Sequence, residues 1–106
     1  MNFDALIIGA GPAGCAAGIQ LAKEGWKTAI IEKSLFPRHK VCGEFFSPGS
    51  INFFKKLGIF EKVLRSGAVP LKKSSLYFPG QQEINLSLPH PDGPAYSLSR
   101  FSLDEL

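Results

Sequence analysis

The segment Gly9-Ala10-Gly11-Pro12-Ala13-Gly14 constrains the fold more than any other feature of the sequence. It follows an apolar run from Phe3 to Ile8 and opens a stretch of small and helix-forming residues from Pro12 to Glu24, closed by Gly25. A second apolar run, Lys27 to Glu32, contains Thr28-Ala29-Ile30-Ile31. Short continuous apolar runs bounded by glycine read as buried strands, and the small-residue segment between them reads as a helix. Strand, helix and strand with short links make a βαβ unit with parallel strands, and such apolar strands suit a sheet covered on both faces.

The glycines then acquire separate physical roles. Gly9 permits the tight turn, Gly11 lets the backbone approach a diphosphate, and Gly14 lets the helix lie close to the strand. Pro12 sits where a helix needs no backbone N–H, and the free amides of Ala13 and Gly14 at the positive dipole end can receive phosphate oxygens. Gly18, one turn further on, keeps the same stripe thin. Glu32 closes the second strand, where a carboxylate can accept hydrogen bonds from both ribose hydroxyls. Its charge repels a 2′-phosphate, which argues against NADP. This is the pattern of a site for an ADP moiety.

The remaining chain shows other periods. Lys33 to Phe46 lacks periodicity and reads as a loop. Ser47-Pro48 offers an N-cap and a first-turn proline, with Ile51, Phe54 and Leu57 at helical spacing before Gly58. Phe60, Val63 and Leu64 predict a further short helix ending near Gly67. Leu76 to Leu88 alternates around Pro79-Gly80 and predicts a hairpin with one exposed face; Ala95 to Leu98 predicts a third antiparallel strand, and Phe101 to Leu106 a helix. Core packing is the default for the aromatic residues.

With 106 residues the chain is the size of one small domain with a thin stability margin, and its net charge of +3 is scattered, leaving no nucleic-acid footprint. Cys15 and Cys42 are the two cysteines, and Cys15 falls inside the predicted helix, so a disulfide framework is not expected and a reducing compartment fits. No basic segment precedes the first apolar run, and that run is too short for a signal peptide or a membrane span. The expected location is cytoplasmic, with association at a membrane surface left open. No metal-binding constellation stands out.

The Gly-rich turn, Glu32-Lys33 and the later Arg38-His39-Lys40-Val41-Cys42-Gly43 together resemble FAD-dependent oxidoreductases of the geranylgeranyl reductase type. That type is part of the larger group containing para-hydroxybenzoate hydroxylase and the flavin-dependent halogenases. Ser47-Pro48-Gly49, Leu57-Gly58 and Ser99-Arg100-Phe101-Ser102-Leu103-Asp104-Glu105-Leu106 extend the resemblance over nearly the whole chain. It implies FAD as cofactor, Arg38 or Lys40 near it, Cys42-Gly43 toward the isoalloxazine, and Arg100 touching it from the start of the last helix. Without the resemblance, Arg38 and Lys40 read as solvated loop charges, Cys42 as a small residue without redox work, and Arg100 as a helix-start charge.

The expected fold is α/β: a Rossmann-type βαβ unit, then helices, then the start of an antiparallel substrate-domain sheet. Residues 1–70 would form the FAD segment, 71–98 the start of the substrate domain, and 99–106 a helix returning to the FAD domain. Members of the group are several times longer and carry a second FAD motif around a Gly-Asp pair, which has no counterpart here. The expectation is therefore the front part of a longer flavoprotein. Reduction of isoprenoid double bonds is the first functional expectation, with an isoprenoid or other small molecule as substrate. Aromatic hydroxylation or halogenation is the second, and a non-catalytic nucleotide-binding module the third. An NAD-dependent dehydrogenase is disfavoured by Gly-Pro-Ala-Gly in the turn. No acid–base residue is assigned.

Overall fold

The computed structural model describes residues 1–80 and 82–106. In chain order the elements are β1 (Ala5–Ile8), α1 (Pro12–Lys23), β2 (Thr28–Ile31), β3 (Phe45–Phe46), α2 (Pro48–Leu57) and α3 (Phe60–Arg65). They are followed by β4 (Val69–Leu71), β5 (Lys73–Leu76), β6 (Ile84–Ser87), β7 (Ala95–Ser97) and α4 (Arg100–Leu103). The chain divides into two compact units: Met1–Cys42 together with Ser99–Leu106, and Gly43–Leu98. Residues 43–70, which the sequence grouped with the βαβ segment, thus pack with the strands that follow them.

In the first unit, β1 and β2 are parallel neighbours in the register Ala5↔Thr28 through Ile8↔Ile31. The ladder continues past β1, where the Gly9 amide donates to the Ile31 carbonyl at 2.7 Å. α1 ends in a tight closure in which Gly25, at φ +85°, donates to Ala22 and Trp26 donates to Leu21. The helix lies close to the strands at two glycines, one facing backbone and the other a flexible side chain. A Cβ on Gly14 would run into the Gly9 carbonyl oxygen, and one on Gly18 would stand 2.8 Å from Ile30 Cδ1.

The expectation of a sheet covered on both faces is not met within the described residues. α1 covers the face bearing Ile7 and Ile30, whereas Leu6 and Ile8 on the other face are 59% and 84% exposed. Two strands and one helix give a single contact surface.

The second unit holds most of the buried apolar residues: Ile51, Phe54, Leu57, Val63, Ala95 and Leu98. α2 starts as its sequence requires, with Ser47 Oγ accepting from the Ser50 amide and Pro48 in the first turn, and it stops at Gly58 in the left-handed conformation. Its stripe of Ile51, Phe54 and Leu57 faces inward, and the Phe46 ring meets Phe54 edge-on at 5.4 Å. Burying each such side chain stabilises by roughly 1.5–3 kcal/mol.

Strand pairing departs from the expectation in three places. The expected loop ends in β3, and β4 follows α3 despite Pro70. β7 pairs antiparallel with both, in the order β3-β7-β4, instead of extending the hairpin. Pro70 is tolerated because β4 is an edge strand. The hairpin forms from β5 and β6 in the register Lys73↔Ser87 to Leu76↔Ile84, and β6 is exposed along its whole length, so neither face of that strand is covered. The aromatic residues also divide: Phe54 is buried, while Phe3, Trp26, Phe45, Phe53 and Phe78 are largely exposed. Among the described residues, no helix is long and apolar enough to cross a membrane.

Candidate functional site

The site forms at the C-terminal ends of β1 and β2, within the first unit. Gly9 turns the chain at φ +102°, a conformation that disfavours any side chain, and Gly11 caps α1 with no side-chain hydrogen bond. The first helical bond runs from the Cys15 amide to the Gly11 carbonyl at 2.9 Å. The amides before it, at Ala13 and Gly14, lie at the positive end of a 12-residue helix without a side-chain cap. Such an end favours an anion.

Glu32 stands beside this turn. Its Oε2 accepts from the Ala10 amide at 2.8 Å and its Oε1 from the Ser34 amide at 2.9 Å. These two backbone donors, Ala10 first, together with the Arg38 guanidinium, hold the carboxyl down to about 2 from its usual value near 4.5. Glu32 is therefore charged at any physiological pH. The two amides and the Ser34 side chain occupy only part of the capacity of a carboxylate, which accepts at about four positions. Lone pairs remain for hydroxyl donors from outside.

A cleft of about 590 Å³ opens next to Glu32, lined by Ile8, Gly9, Ile31, Lys33, Arg38 and Lys40 among others. This volume falls in the range of sites that bury a small organic ligand. Its floor is apolar where Ile8 and Ile31 end their strands, and its rim is cationic. Lys33 and Lys40 stand on that rim, both exposed.

Arg38 and Arg100 are drawn into one chain of charges. Arg38 stacks over the Phe36 ring at 4.9 Å from its centroid and reaches Glu32 Oε2 at 3.8 Å and Asp104 Oδ2 at 3.4 Å. Its Nε is buried without a hydrogen-bond partner. Arg100 makes a two-pronged bond to Asp104, Nε to Oδ1 at 2.7 Å and Nη2 to Oδ2 at 2.8 Å. That fork holds the guanidinium still more firmly protonated, and it also engages the Cys42 side chain. Arg100 Nη2 lies 3.5 Å from where a Cβ on Gly11 would be, so this cation borders the Gly-rich turn.

The structure thus gathers Gly9, Gly11, Pro12, Ala13, Gly14, Glu32, Lys33, Arg38, Lys40, Cys42 and Arg100 in one unit, while Gly43 begins the other. Cys42 is exposed and forms no disulfide, and a side chain at Gly43 would meet nothing within 4 Å. Cys15 also forms no disulfide. Burial raises its pKa, the charges of Asp104 and Glu32 raise it further, and its Sγ donates to the Ala10 carbonyl at 3.3 Å. It braces the turn as a neutral donor.

Sequence reasoning missed Asp104 as a site residue. Its signal was present: an acid four residues after Arg100, the spacing at which helical side chains meet. It entered only as part of the last helical segment and of the family resemblance there, with no role of its own.

The family model for the FAD binding domain matches residues 2–97. Squalene epoxidase of Schizosaccharomyces pombe is 33% identical over 88% of the chain, which corresponds to 20% of that relative. Menaquinone reductase of Mycobacterium tuberculosis is 30% identical over 98% of the chain and 25% of the relative. Among solved structures, the myxobacterial chondrochloren halogenase, an FAD-dependent halogenase, superposes with a TM-score of 0.83 at 25% identity, covering 97% of this chain and 25% of that one. The chain belongs to the FAD binding domain family, and its cofactor is FAD. It spans about a fifth of the length of the curated relatives it matches.

The residues present fit the ADP half of that cofactor. Gly9 is held at a positive φ and Gly14 has no room for a side chain, an uncapped helix end and a cation border the turn, and a charged carboxylate stands at the strand end.

Proposed function

We propose that this chain holds the ADP half of FAD in a flavin-dependent oxidoreductase of the monooxygenase and halogenase class. The observation that carries the reading is the convergence of the uncapped α1 start, Arg100 and Glu32 on one turn at the ends of β1 and β2. In this reading Gly9, Gly11, Pro12, Ala13 and Gly14 shape the diphosphate site, and Arg100 adds charge beside it. Glu32 takes the ribose hydroxyls. Lys33, Arg38 and Lys40 line the adjoining cleft, and Cys42-Gly43 leads toward the flavin ring. When bound, FAD supplies the redox chemistry, and the chain supplies position and field. The family assignment and the superposition on a halogenase support oxygen-dependent chemistry, with aromatic hydroxylation or halogenation as the reaction.

A second reading keeps an isoprenoid substrate and a geranylgeranyl reductase-like reduction of its double bonds. The similarity to menaquinone reductase is what speaks for a reduction, whereas squalene epoxidase, which adds oxygen to a double bond, speaks only for an apolar substrate. Such substrates reside in membranes, which fits peripheral association with a membrane surface, and two cysteines outside any disulfide fit a reducing, cytoplasmic setting.

Competition between flavins tests the binding assignment. FAD and ADP should compete for one site, and FMN, which lacks the AMP part, should not displace either. Equal affinity for FMN would contradict it. Oxygen uptake by the flavin-loaded protein separates the two chemistries. Turnover that requires oxygen supports the first reading, and saturation of a double bond without oxygen supports the second.

A further inference from the structure

Asp104 has a fully buried side chain, 0% exposed, although it carries a carboxylate. An uncompensated buried charge is costly, so its partners must offset that cost. Both oxygens are engaged by Arg100 at 2.7 and 2.8 Å, and Oδ2 also faces Arg38 Nη1 at 3.4 Å. The sequence of charges is Glu32, Arg38, Asp104, Arg100, alternating in sign and ending beside Gly11. Asp104 lies between two cations. A bidentate fork fixes the plane of a guanidinium as well as its distance.

We propose that Asp104 is a positioning residue for the nucleotide site, setting the orientation of Arg100 toward the Gly-rich turn and of Arg38 toward Glu32 without touching the nucleotide itself. This rests on the reading of the turn as a diphosphate site. Two physical effects of Asp104 oppose each other there. Its negative charge lies near an anionic ligand and weakens binding by repulsion. Its fork keeps Arg100 from swinging into water, which strengthens binding. Preorganisation dominates, because a loose arginine must lose its rotamer freedom each time the ligand binds. Removing the charge but keeping the shape therefore gives opposite outcomes for the two effects.

The test is Asp104→Asn, titrated in the full chain with ADP and with adenosine by isothermal calorimetry or NMR, beside a thermal melt of the free protein. The expected result is ADP binding weakened about tenfold, adenosine binding within about twofold of wild type, and a cooperative melt retained. ADP binding that is unchanged or tighter would overturn the proposal, since repulsion alone predicts that sign. Equal weakening of ADP and adenosine would also overturn it, by showing a purely structural role. If Asp104→Asn loses its cooperative melt, Arg100→Lys carries the test, keeping the charge pair and losing the fork. Selective loss of ADP over adenosine then supports the proposal, and undiminished ADP binding overturns it. Failure of wild type to bind ADP would overturn the diphosphate reading itself and this inference with it, whereas binding by wild type that survives both substitutions overturns the inference alone.

Discussion

Replacing Gly14 by alanine adds one methyl group at the closest contact between α1 and β1. That methyl would overlap the Gly9 carbonyl oxygen and lie 3.1 Å from the Gly9 carbonyl carbon and 3.3 Å from Ile7 Cγ2. The atoms met first belong to backbone, so relief requires α1 to move off the strand or the turn to open. Overpacking of this kind costs about 1–3 kcal/mol, and a backbone obstacle places it toward the upper end. Alanine returns up to about 1 kcal/mol of helix propensity. The net loss is about 2 kcal/mol, or a fall in melting temperature of roughly 8–16 °C for a domain of this size. Gly18→Ala provides the comparison. Its methyl meets Ile30 Cδ1, the far end of a flexible side chain, at 2.8 Å, so a rotamer change relieves the contact and the propensity gain leaves stability within about 1 kcal/mol of wild type. Trp26, the single tryptophan, follows α1 directly, and its fluorescence reports the unfolding of this unit in a thermal melt. A Gly14→Ala protein that melts within about 2 °C of wild type, or one more stable than Gly18→Ala, would refute the close-packing role of Gly14.

Gly11→Ala should act on binding and leave the fold alone, because its methyl would meet only Arg100 Nη2 at an ordinary 3.5 Å. Its melting temperature should stay near that of wild type while ADP affinity falls at least about tenfold in a calorimetric titration. Glu32 has a folded-state pKa of about 2 against an ordinary 4.5, so its contribution to stability is fully present above pH 4.5 and is lost as pH falls from there through about 2. Melting curves across that window should fall less steeply for Glu32→Gln than for wild type, and equal slopes would show that Ala10 and Ser34 do not hold the carboxylate. Cys42→Ser should bind FAD with unchanged affinity by fluorescence quenching, since a hydroxyl can keep the contact with Arg100 and the thiol is exposed.

The βαβ unit was legible in the sequence because each of its parts carries a local signal. Gly9 stops one apolar run, Pro12 can only begin a helix, and Gly25 can only end it. Ser47, Pro48 and Gly58 marked α2 for the same reason. What stayed hidden depends on contacts between distant segments. The run Ala95 to Leu98 says that a strand forms and not which strand it joins, so β7 could not be assigned to β3 and β4. Pro70 masked β4, because a proline argues against a strand until its edge position is known. Asp104 reads as an ordinary helix acid until the chain brings it against Arg38, far away in sequence. Glu32 was expected to be free for a ribose, and two loop amides already hold it. Their donors are backbone groups, which no sequence pattern displays, and they orient the acid toward the cleft. For this reason Glu32→Ala should weaken ADP roughly ten- to hundredfold and also loosen the turn.

Titration of isotope-labelled protein with ADP, followed residue by residue through the backbone amides by NMR, probes the diphosphate site directly. The largest shifts should fall on Gly11, Ala13 and Gly14 at the start of α1, with smaller ones at Ala10 and Ser34 as Glu32 takes up the ribose. Saturation should follow a single binding curve and disappear in Gly11→Ala. No saturable shift at Gly11, Ala13 and Gly14, or shifts confined to the second unit from Gly43 to Leu98, would contradict a nucleotide site at the ends of β1 and β2.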